Sequence, residues 1–391
     1  MPRATAKKSK PAKAARRRVN SSLRLVGLIV LVGLIAIVAW ALLRPDTLDR
    51  SVGPLSRQVN VYQQSIIKQL KPPPTLAGLQ YAYVATAYND GLKSGGQPVA
   101  LAAAGGVLDT IYPGQRAATA IALKQLAAKN DVKPNQVAAQ SIIDRYTQRY
   151  ANDGHDAVWN GVIPVGLGKW HKVDARDPLS PTAGNWQSWN VTTAIDVPPP
   201  PAYGSAEDLR QIAIVERAVA GRNGQDINLV NFWGGTPGTE TPGGIWQNQL
   251  YKTVAADLPA DLLAADQQYS SVQSSTAQSI SDAFIECWKI KYTYWTARPS
   301  MRITGLSTAM ENPLFPSYIS GHSTISKAAA DTLSVTVPKY ARDWQSMADD
   351  ARRSRLVAGI HFDVDNAQGY VVGSEVAQQT IKSLQLVSVI N

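Results

Sequence analysis

The amino-acid sequence predicts an all-α protein, a helical bundle that follows one N-terminal transmembrane helix. Apolar residues recur at steps of three and four through seven segments rich in Ala, Gln, Leu and Ile, which is the spacing of amphipathic helices. Alternating Val-, Thr- and Tyr-rich runs with regular turn signals, which would indicate strands, are nearly absent. One long uncharged apolar stretch follows a strongly basic segment near the N-terminus.

The N-terminal region is predicted to form a cytoplasmic tail and a membrane anchor. Residues 1–24 carry nine Lys and Arg and no acidic residue, and residues 25–43 contain no charge. Nineteen helical residues roughly match a hydrocarbon layer of about 30 Å, and the basic flank predicts a cytoplasmic N-terminus. Cleavage at the small-x-small site of residues 39–41 is the alternative, in which case the protein is secreted. Both interpretations make residues 44–391 an extracytoplasmic domain, and the first gives a single-pass protein of the cell membrane.

The charge distribution argues against nucleic acid as a partner. The formal net charge is +10, from 39 Lys and Arg against 29 Asp and Glu. Without the nine basic residues of the tail, 30 basic residues stand against 29 acidic ones, so the folded part is nearly neutral. Nucleic-acid-binding domains are usually basic. The single cysteine, Cys287, excludes an internal disulfide, and the four histidines lack the spacing of a zinc site.

The individual helices are predicted from the same periodicity. They cover residues 55–70, 77–104, 115–150, 205–222, 245–290, 323–335 and 340–358. Two irregular stretches interrupt them: residues 161–204, rich in Gly, Trp and Pro, and residues 231–245. Because so long a loop is uncommon in a compact domain unless it is functional or disordered, and because its tryptophans favour packing, we expect a lid over a pocket. A linker between domains is the alternative.

Two clusters of polar residues supply the first part of a candidate site. Lys291 and Arg298 are seven residues apart and would share a face if one helix contained both, although such a pair alone is typical of a solvated face. Ser320-Gly321-His322 comes directly before a helical run. A capping hydroxyl and free backbone N–H groups at that position can bind an anion, and the histidine can transfer a proton to it. An ordinary capped helix start with an incidental histidine is the alternative.

A third cluster contains Arg355, Gly359, His361 and Asp365. Since His361 and Asp365 are four apart, a shared helix would let the carboxylate hold the imidazole in one tautomer and leave the other ring nitrogen as ligand or nucleophile. A continuous helix would turn Arg355 away from His361, so either the long Arg side chain reaches round the helix or the backbone bends near Gly359. Within residues 280–366 the three clusters combine three cations, two histidines, a hydroxyl and a carboxylate. That set of groups suits a tetrahedral oxyanion.

The motifs resemble those of the vanadium-dependent haloperoxidases and the type-2 phosphatidic acid phosphatases, which share one fold. Their pattern is Lys-x6-Arg-Pro, then Ser-Gly-His, then Ser-Arg-x3-Gly-x-His-x3-Asp, and all eleven fixed positions are present in order. The similarity is greatest to fungal and bacterial chloroperoxidase-like members, in which Trp288 and Phe315 would be halide or pocket residues. Ile319 departs from the pattern, because a proline is usual at its position.

The resemblance implies a fold of paired four-helix bundles with the site among facing helices. It also implies a role for each matching residue. The residues that would bind the oxygens of vanadate or phosphate are Lys291, Arg298, Ser320, Gly321 and Arg355. His361 would be the vanadium ligand or the nucleophile, His322 the acid or base, and Asp365 the group that orients His361.

Three functions are compatible with the sequence. We expect a vanadate-dependent haloperoxidase, with vanadate as cofactor and hydrogen peroxide and halide as substrates. The alternative is an exported acid phosphatase that hydrolyses phosphate esters through a phosphohistidine and needs no cofactor, because the same residues would hold a phosphoryl group. The third is a non-catalytic, membrane-tethered binding protein, which would be expected to lack a histidine or an arginine of the pattern, and none is missing.

Overall fold

The computed structural model describes residues 49–391, and their regular structure is helical. Eleven α-helices occur in this range: α1 (Leu55–Leu70), α2 (Pro74–Ile111), α3 (Arg116–Lys129), α4 (Gln136–Asn152), α5 (Ala206–Ala220), α6 (Gly224–Phe232), α7 (Thr241–Val254), α8 (Leu262–Tyr294), α9 (Gly321–Thr336), α10 (Ala341–Val357) and α11 (Asp363–Leu384). Among these residues the only β-type pairings are two isolated bridges. The prediction of an all-α fold is confirmed for the described part of the chain.

The predicted basic tail, residues 1–24, and the predicted anchor, residues 25–43, lie outside the described residues. From residue 49 to residue 391, no helix has both the length and the apolar character that crossing a bilayer requires. This finding corrects the localisation expected from the sequence, a single-pass protein of the cell membrane.

The long helix α8 is shared by two groups of packed helices. Helices α1 and α2 pack against α8 and against each other, and α4 packs on α2. Helix α9 packs against α8, α10 and α11, and α11 also contacts α8. Because neighbours cover α8 on several sides, almost every residue from 269 to 288 is buried. The three polar clusters of the sequence lie in the second group, α8 with α9, α10 and α11, and in the segments that connect these helices.

Small side chains allow close approach within this second group. The Ser279 hydroxyl on α8 donates to the Ala328 carbonyl of α9 at 3.3 Å, and the Thr332 hydroxyl of α9 donates to Ser279 Oγ at 3.0 Å. Between α9 and α11, a Cβ placed on Gly373 would lie only 2.3 Å from the Thr324 carbonyl oxygen. Glycine is therefore required at position 373 for the two helices to pack at this distance.

Several helix boundaries differ from those expected. Helix α1 has the predicted bounds, but the predicted helix 115–150 is two helices, and the predicted helix 245–290 is also two, α7 and α8. Both interruptions contain a proline, Pro134 and Pro259, which cannot donate a backbone hydrogen bond and disfavours a helical residue before it. Helices α6 and α11 were not predicted, and α7 begins inside the stretch expected to be irregular.

Candidate functional site

A cavity of about 570 Å³ lies where the loop before α9, the turn before α11 and the end of α8 meet. The second and third polar clusters line it, whereas Lys291, Arg298 and Ser320 are not among its lining residues. Its wall includes Trp288, Phe315, Gly321, His322, Arg355 and His361. Both irregular stretches also line it, through Arg176 and Leu179 and through residues 234–237.

The N-terminus of α9 presents backbone donors to this cavity. Ser320 is the N-cap, and its Oγ accepts a long hydrogen bond of 3.4 Å from the Ser323 N–H. Within residues 49–391, the N–H groups of Gly321 and His322 have no hydrogen-bond partner. Free N–H groups at the start of a helix favour an anion. Ser320 N–H also donates to the Asp365 carbonyl at 2.9 Å, which ties this turn to α11.

Lys291 and Arg298 do not share a helix, and that prediction was wrong. Helix α8 ends at Tyr294, and Trp295 takes a left-handed conformation with φ 54°. Arg298 follows in extended backbone, immediately before a short 3-10 turn. The helical spacing of seven therefore does not bring the two side chains together.

They meet instead at a common loop, residues 315–317. Lys291 Nζ donates to the carbonyls of residues 316 and 317, at 2.8 Å each. Arg298 Nε donates to the carbonyl of residue 315 at 3.0 Å, and its Nη1 donates to the Ile360 carbonyl at 2.7 Å. The two cations thus fasten the loop before α9, and Arg298 also joins it to the turn that carries His361.

His361 precedes α11 rather than sharing its face with Asp365, which corrects the second helical prediction. The chain reverses at Gly359, whose φ of +73° is readily adopted only without a side chain. His361 then lies in the turn, Phe362 caps α11, and Asp365 occupies the third helical position. Asp365 Oδ2 accepts the Phe362 N–H at 3.1 Å, as acidic residues at this position commonly do. This bend also allows Arg355 and His361 to line the same cavity.

The hydrogen-bond partners of His361 define its tautomer. Nδ1 lies 3.0 Å from Asp365 Oδ2, and Nε2 lies 3.1 Å from Arg298 Nη1. Since a guanidinium can only donate and an ionised carboxylate can only accept, the proton belongs on Nδ1 and the lone pair on Nε2. Burial, reinforced by the positive charge of Arg298, holds the pKa of His361 well below its ordinary value. The ring is therefore neutral, with Nε2 as the atom able to bind an electrophilic centre.

Ser317 was not recognised from the sequence, although it completes this arrangement. Its hydroxyl donates to Asp365 Oδ2 at 2.5 Å and lies 3.4 Å from His361 Nδ1. The residue is fully buried. In the sequence it precedes the Ser-Gly-His motif and is not one of the fixed positions, so only its place in three dimensions identifies it.

Arg355 reaches the cavity, and its hydrogen-bond partners among the described residues are all uncharged. Its Nε donates to Ser354 Oγ at 2.8 Å, its Nη1 to the Met310 thioether sulfur at 3.2 Å, and its Nη2 to the Val230 carbonyl at 3.3 Å. A thioether is a poor acceptor. The guanidinium therefore retains most of its capacity to bind an anion.

His322, at the second position of α9, lines the same cavity. Its Nε2 lies 2.7 Å from the Trp233 carbonyl, which can only accept, so Nε2 carries the proton and Nδ1 has the free lone pair. Burial and the nearby charge of Arg355 hold the pKa of His322 well below its ordinary value. The neutral ring can accept a proton at Nδ1.

The three cations of the site are buried without a neutralising carboxylate. Lys291 and Arg298 are fully buried and Arg355 is 1% exposed, yet none of them forms an ion pair in the described range. Burial lowers the pKa of Lys291 to about 7 and the pKa of each guanidinium to about 9. Buried charges are ordinarily paired. The uncompensated positive charge therefore fits a multiply charged anion.

Asp365 is the one carboxylate among these residues. Burial raises its pKa to about 6, against the hydrogen bond from Ser317 and the positive charge of Lys291. At neutral pH the group is ionised and serves as acceptor for His361 Nδ1. Its single charge cannot balance all three cations.

Aromatic residues close one side of the site. The ring centroids of Trp288 and Phe315 are 4.8 Å apart, and Lys291 Nζ and the Arg298 guanidinium lie 5.0 Å and 4.8 Å from the centroid of Phe315. These contacts keep the cationic groups away from bulk water. Ile319, which departs from the family pattern, is fully buried, and the peptide bond before it is cis.

Comparisons with known proteins agree with this architecture. No protein-family model and no curated protein sequence matches the chain. Among solved structures, a bacterial vanadium-dependent iodoperoxidase is 19% identical, with a TM-score of 0.73 over 86% of this chain and 98% of that one. A bacterial vanadium-dependent chloroperoxidase is 13% identical, with TM-scores of 0.63 for its apo form and 0.61 for its holo form, over 80% of this chain and 93% of that one. The chain therefore shares its fold with these vanadium-dependent iodo- and chloroperoxidases.

Proposed function

We propose that this chain is a vanadate-dependent haloperoxidase, which oxidises halide with hydrogen peroxide at His361. The observation that carries the proposal is the group of three buried cations without ion pairs around a neutral imidazole whose lone pair is on Nε2. Such a site is incomplete without an oxyanion. The fold shared with vanadium-dependent iodo- and chloroperoxidases favours vanadate as that anion.

The residues present fit vanadate. The vanadium centre would be held by His361 Nε2, and the oxygens by charged and backbone donors. Those donors would be Lys291, Arg298, Arg355, the Ser320 hydroxyl and the Gly321 N–H, of which Arg355 and Gly321 line the cavity. Bound vanadate would supply a Lewis acid that makes peroxide oxygen electrophilic.

The remaining chemistry belongs to the chain itself. Lys291, Arg298 and Arg355 neutralise negative charge in a site from which water is largely excluded, where such charges act most strongly. His322 Nδ1 accepts a proton from the incoming peroxide. Asp365 keeps the proton of His361 on Nδ1, so that Nε2 remains a donor of its lone pair.

A second function, acid phosphatase, has one specific observation in its favour. A neutral imidazole with its lone pair directed at an anion site is also the arrangement of a histidine nucleophile. In that case His361 Nε2 attacks the phosphorus of a phosphate ester, and His322 protonates the leaving oxygen. Protonating a leaving group requires a charged His322, and its low pKa restricts that form to acidic solution or to the phosphate-bound site.

The two functions are separated by measuring both reactions on one preparation. The full-length chain is incubated with vanadate, and halide-dependent peroxide consumption is compared with the release of phosphate from an aryl phosphate. We expect halide oxidation that depends on added vanadate. Vanadate that only inhibits ester hydrolysis, without halide oxidation, would establish the phosphatase instead.

A matched pair of histidine variants makes the assignment specific. His361→Ala should remove halide oxidation and tight vanadate binding, because it removes the vanadium ligand. His171→Ala is the control, since His171 is exposed and does not line the cavity. If the two variants retain equal activity, the proposed role of His361 is excluded.

A further inference from the structure

A thioether lies directly beside one of the anion-binding cations. Met310 belongs to the loop between Arg298 and α9 and lines the same cavity as Arg355 and His361. Its Sδ is 3.2 Å from Arg355 Nη1. The sulfur thus takes a position beside the guanidinium where a stronger hydrogen-bond acceptor would be expected. It also lies in the cavity where the proposed reaction would release its oxidant.

We propose that Met310 is a modification site, at which hypohalous acid formed in the cavity oxidises the sulfur to the sulfoxide. The proposal rests on the haloperoxidase function proposed above. In the step, a bond forms between Sδ and the oxygen of the hypohalous acid, and the oxygen–halogen bond breaks. The sulfur loses two electrons, halide leaves, and the hydroxyl proton goes to water. No reactant is needed beyond the product of the proposed reaction.

Oxidation would change what Arg355 binds. A sulfoxide oxygen is a strong hydrogen-bond acceptor, whereas a thioether sulfur is a weak one. The guanidinium has no carboxylate partner among residues 49–391, so a sulfoxide at Met310 would hold it and compete with the oxyanion. Sustained turnover would therefore lower the affinity of the site for its anion. Oxidation of Met310 would thus inhibit the enzyme through its own product.

The chain contains internal controls for this proposal. Met301 lies in the 3-10 turn after Arg298, and Met347 lies on α10, and neither lines the cavity. Both are partly buried, as Met310 is. Trypsin separates the three methionines into different peptides, residues 292–302, 303–327 and 343–352. Their oxidation can therefore be followed in one digest.

The test measures sulfoxide formation by mass spectrometry. Full-length protein with vanadate, bromide and limiting hydrogen peroxide turns over in the presence of an excess of a soluble scavenger of hypobromous acid, and bromide oxidation is monitored through the scavenger. Because the oxidant forms next to Met310, we expect this residue to be oxidised at least about tenfold faster than Met301 and Met347. Omitting bromide or vanadate should abolish the difference.

Phosphate binding supplies a readout that does not depend on activity. After turnover, the affinity of the wild-type protein for inorganic phosphate should fall by about tenfold. Met310→Leu protein, compared with its own unoxidised sample, should show no such fall, since leucine has no sulfur to oxidise.

The outcomes distinguish the two proposals. Normal bromide oxidation with equal oxidation of all three methionines would overturn the role of Met310 and leave the haloperoxidase function standing. Absence of vanadate-dependent bromide oxidation would overturn both. Selective oxidation of Met310 without a loss of phosphate affinity would overturn the proposed inhibition by the product.

Discussion

Replacing Ser317 with alanine tests the arrangement around His361 directly. The hydroxyl of Ser317 donates to Asp365 Oδ2 at 2.5 Å, and both residues are buried. Alanine keeps the backbone and Cβ and removes only this donor. The carboxylate is then left with two donors, the Phe362 N–H and His361 Nδ1, so Oδ2 is free to shift and the imidazole is held less firmly.

The size of the effect follows from the type of hydrogen bond. A hydrogen bond to a charged group contributes about 1.5–3 kcal/mol, and each 1.4 kcal/mol corresponds to about a factor of ten. If the lost hydrogen bond mainly affects the position of His361, halide oxidation by the vanadate-loaded protein should fall by about 10- to 100-fold. Ser317→Thr keeps the hydroxyl and should retain more activity than Ser317→Ala.

The assay pairs the rate of halide oxidation with the free energy of unfolding in urea. Thr332→Val is the matched control, because it also removes a buried hydroxyl, the one that donates to Ser279 Oγ at 3.0 Å, and Thr332 does not line the cavity. This control should lose stability by about 1 kcal/mol and keep its activity. Equal activities of Ser317→Ala and Thr332→Val would refute the positioning role of Ser317.

Three further predictions concern the site and its scaffold. Burial lowers the pKa of Lys291 to about 7, and only the ammonium form attracts an anion. Sulfate affinity measured by calorimetry should therefore fall above pH 7, by up to about tenfold per pH unit. Lys291→Arg should remove this fall. Gly373→Ala places a methyl group 2.3 Å from the Thr324 carbonyl oxygen, and thermal or urea unfolding should show a destabilisation of about 1–3 kcal/mol or more. His361→Ala should abolish halide oxidation and ester hydrolysis alike, whereas Asp365→Ala should only reduce them; equal, mild effects in both variants would mean that these roles are misassigned.

The helical class and the set of clustered residues could be predicted from the sequence because both depend on local pattern. Periodicity located α1 to the residue, and the three motifs contained every charged group that surrounds His361. Periodicity failed where a proline interrupted an otherwise continuous pattern, as at Pro134 and Pro259. It also failed to predict α11, although the acidic residues Asp363 and Asp365 in its first turn suit a helix start and Asp365 accepts the Phe362 N–H there.

The geometry of the site could not be predicted, because it depends on where helices end. Helical spacing suggested that Lys291 would meet Arg298, and His361 would meet Asp365, along one helix face. In the structure neither pair shares a helix. Lys291 and Arg298 meet at the loop 315–317, and His361 reaches Asp365 from the turn after Gly359. Ser317 remained unnoticed, since a single serine gives no local signal of the carboxylate that it contacts.

The carbonyl anchors of Lys291 and Arg298 have a consequence for how a ligand is received. Both side chains are held by backbone carbonyls independently of any anion. Their rotational freedom is therefore lost when the chain folds, not when a ligand arrives. Admission of an anion requires little rearrangement beyond the release of one guanidinium contact from the imidazole. The anion site is therefore preorganised, and little of the free energy gained by charge neutralisation is lost in ordering these two side chains.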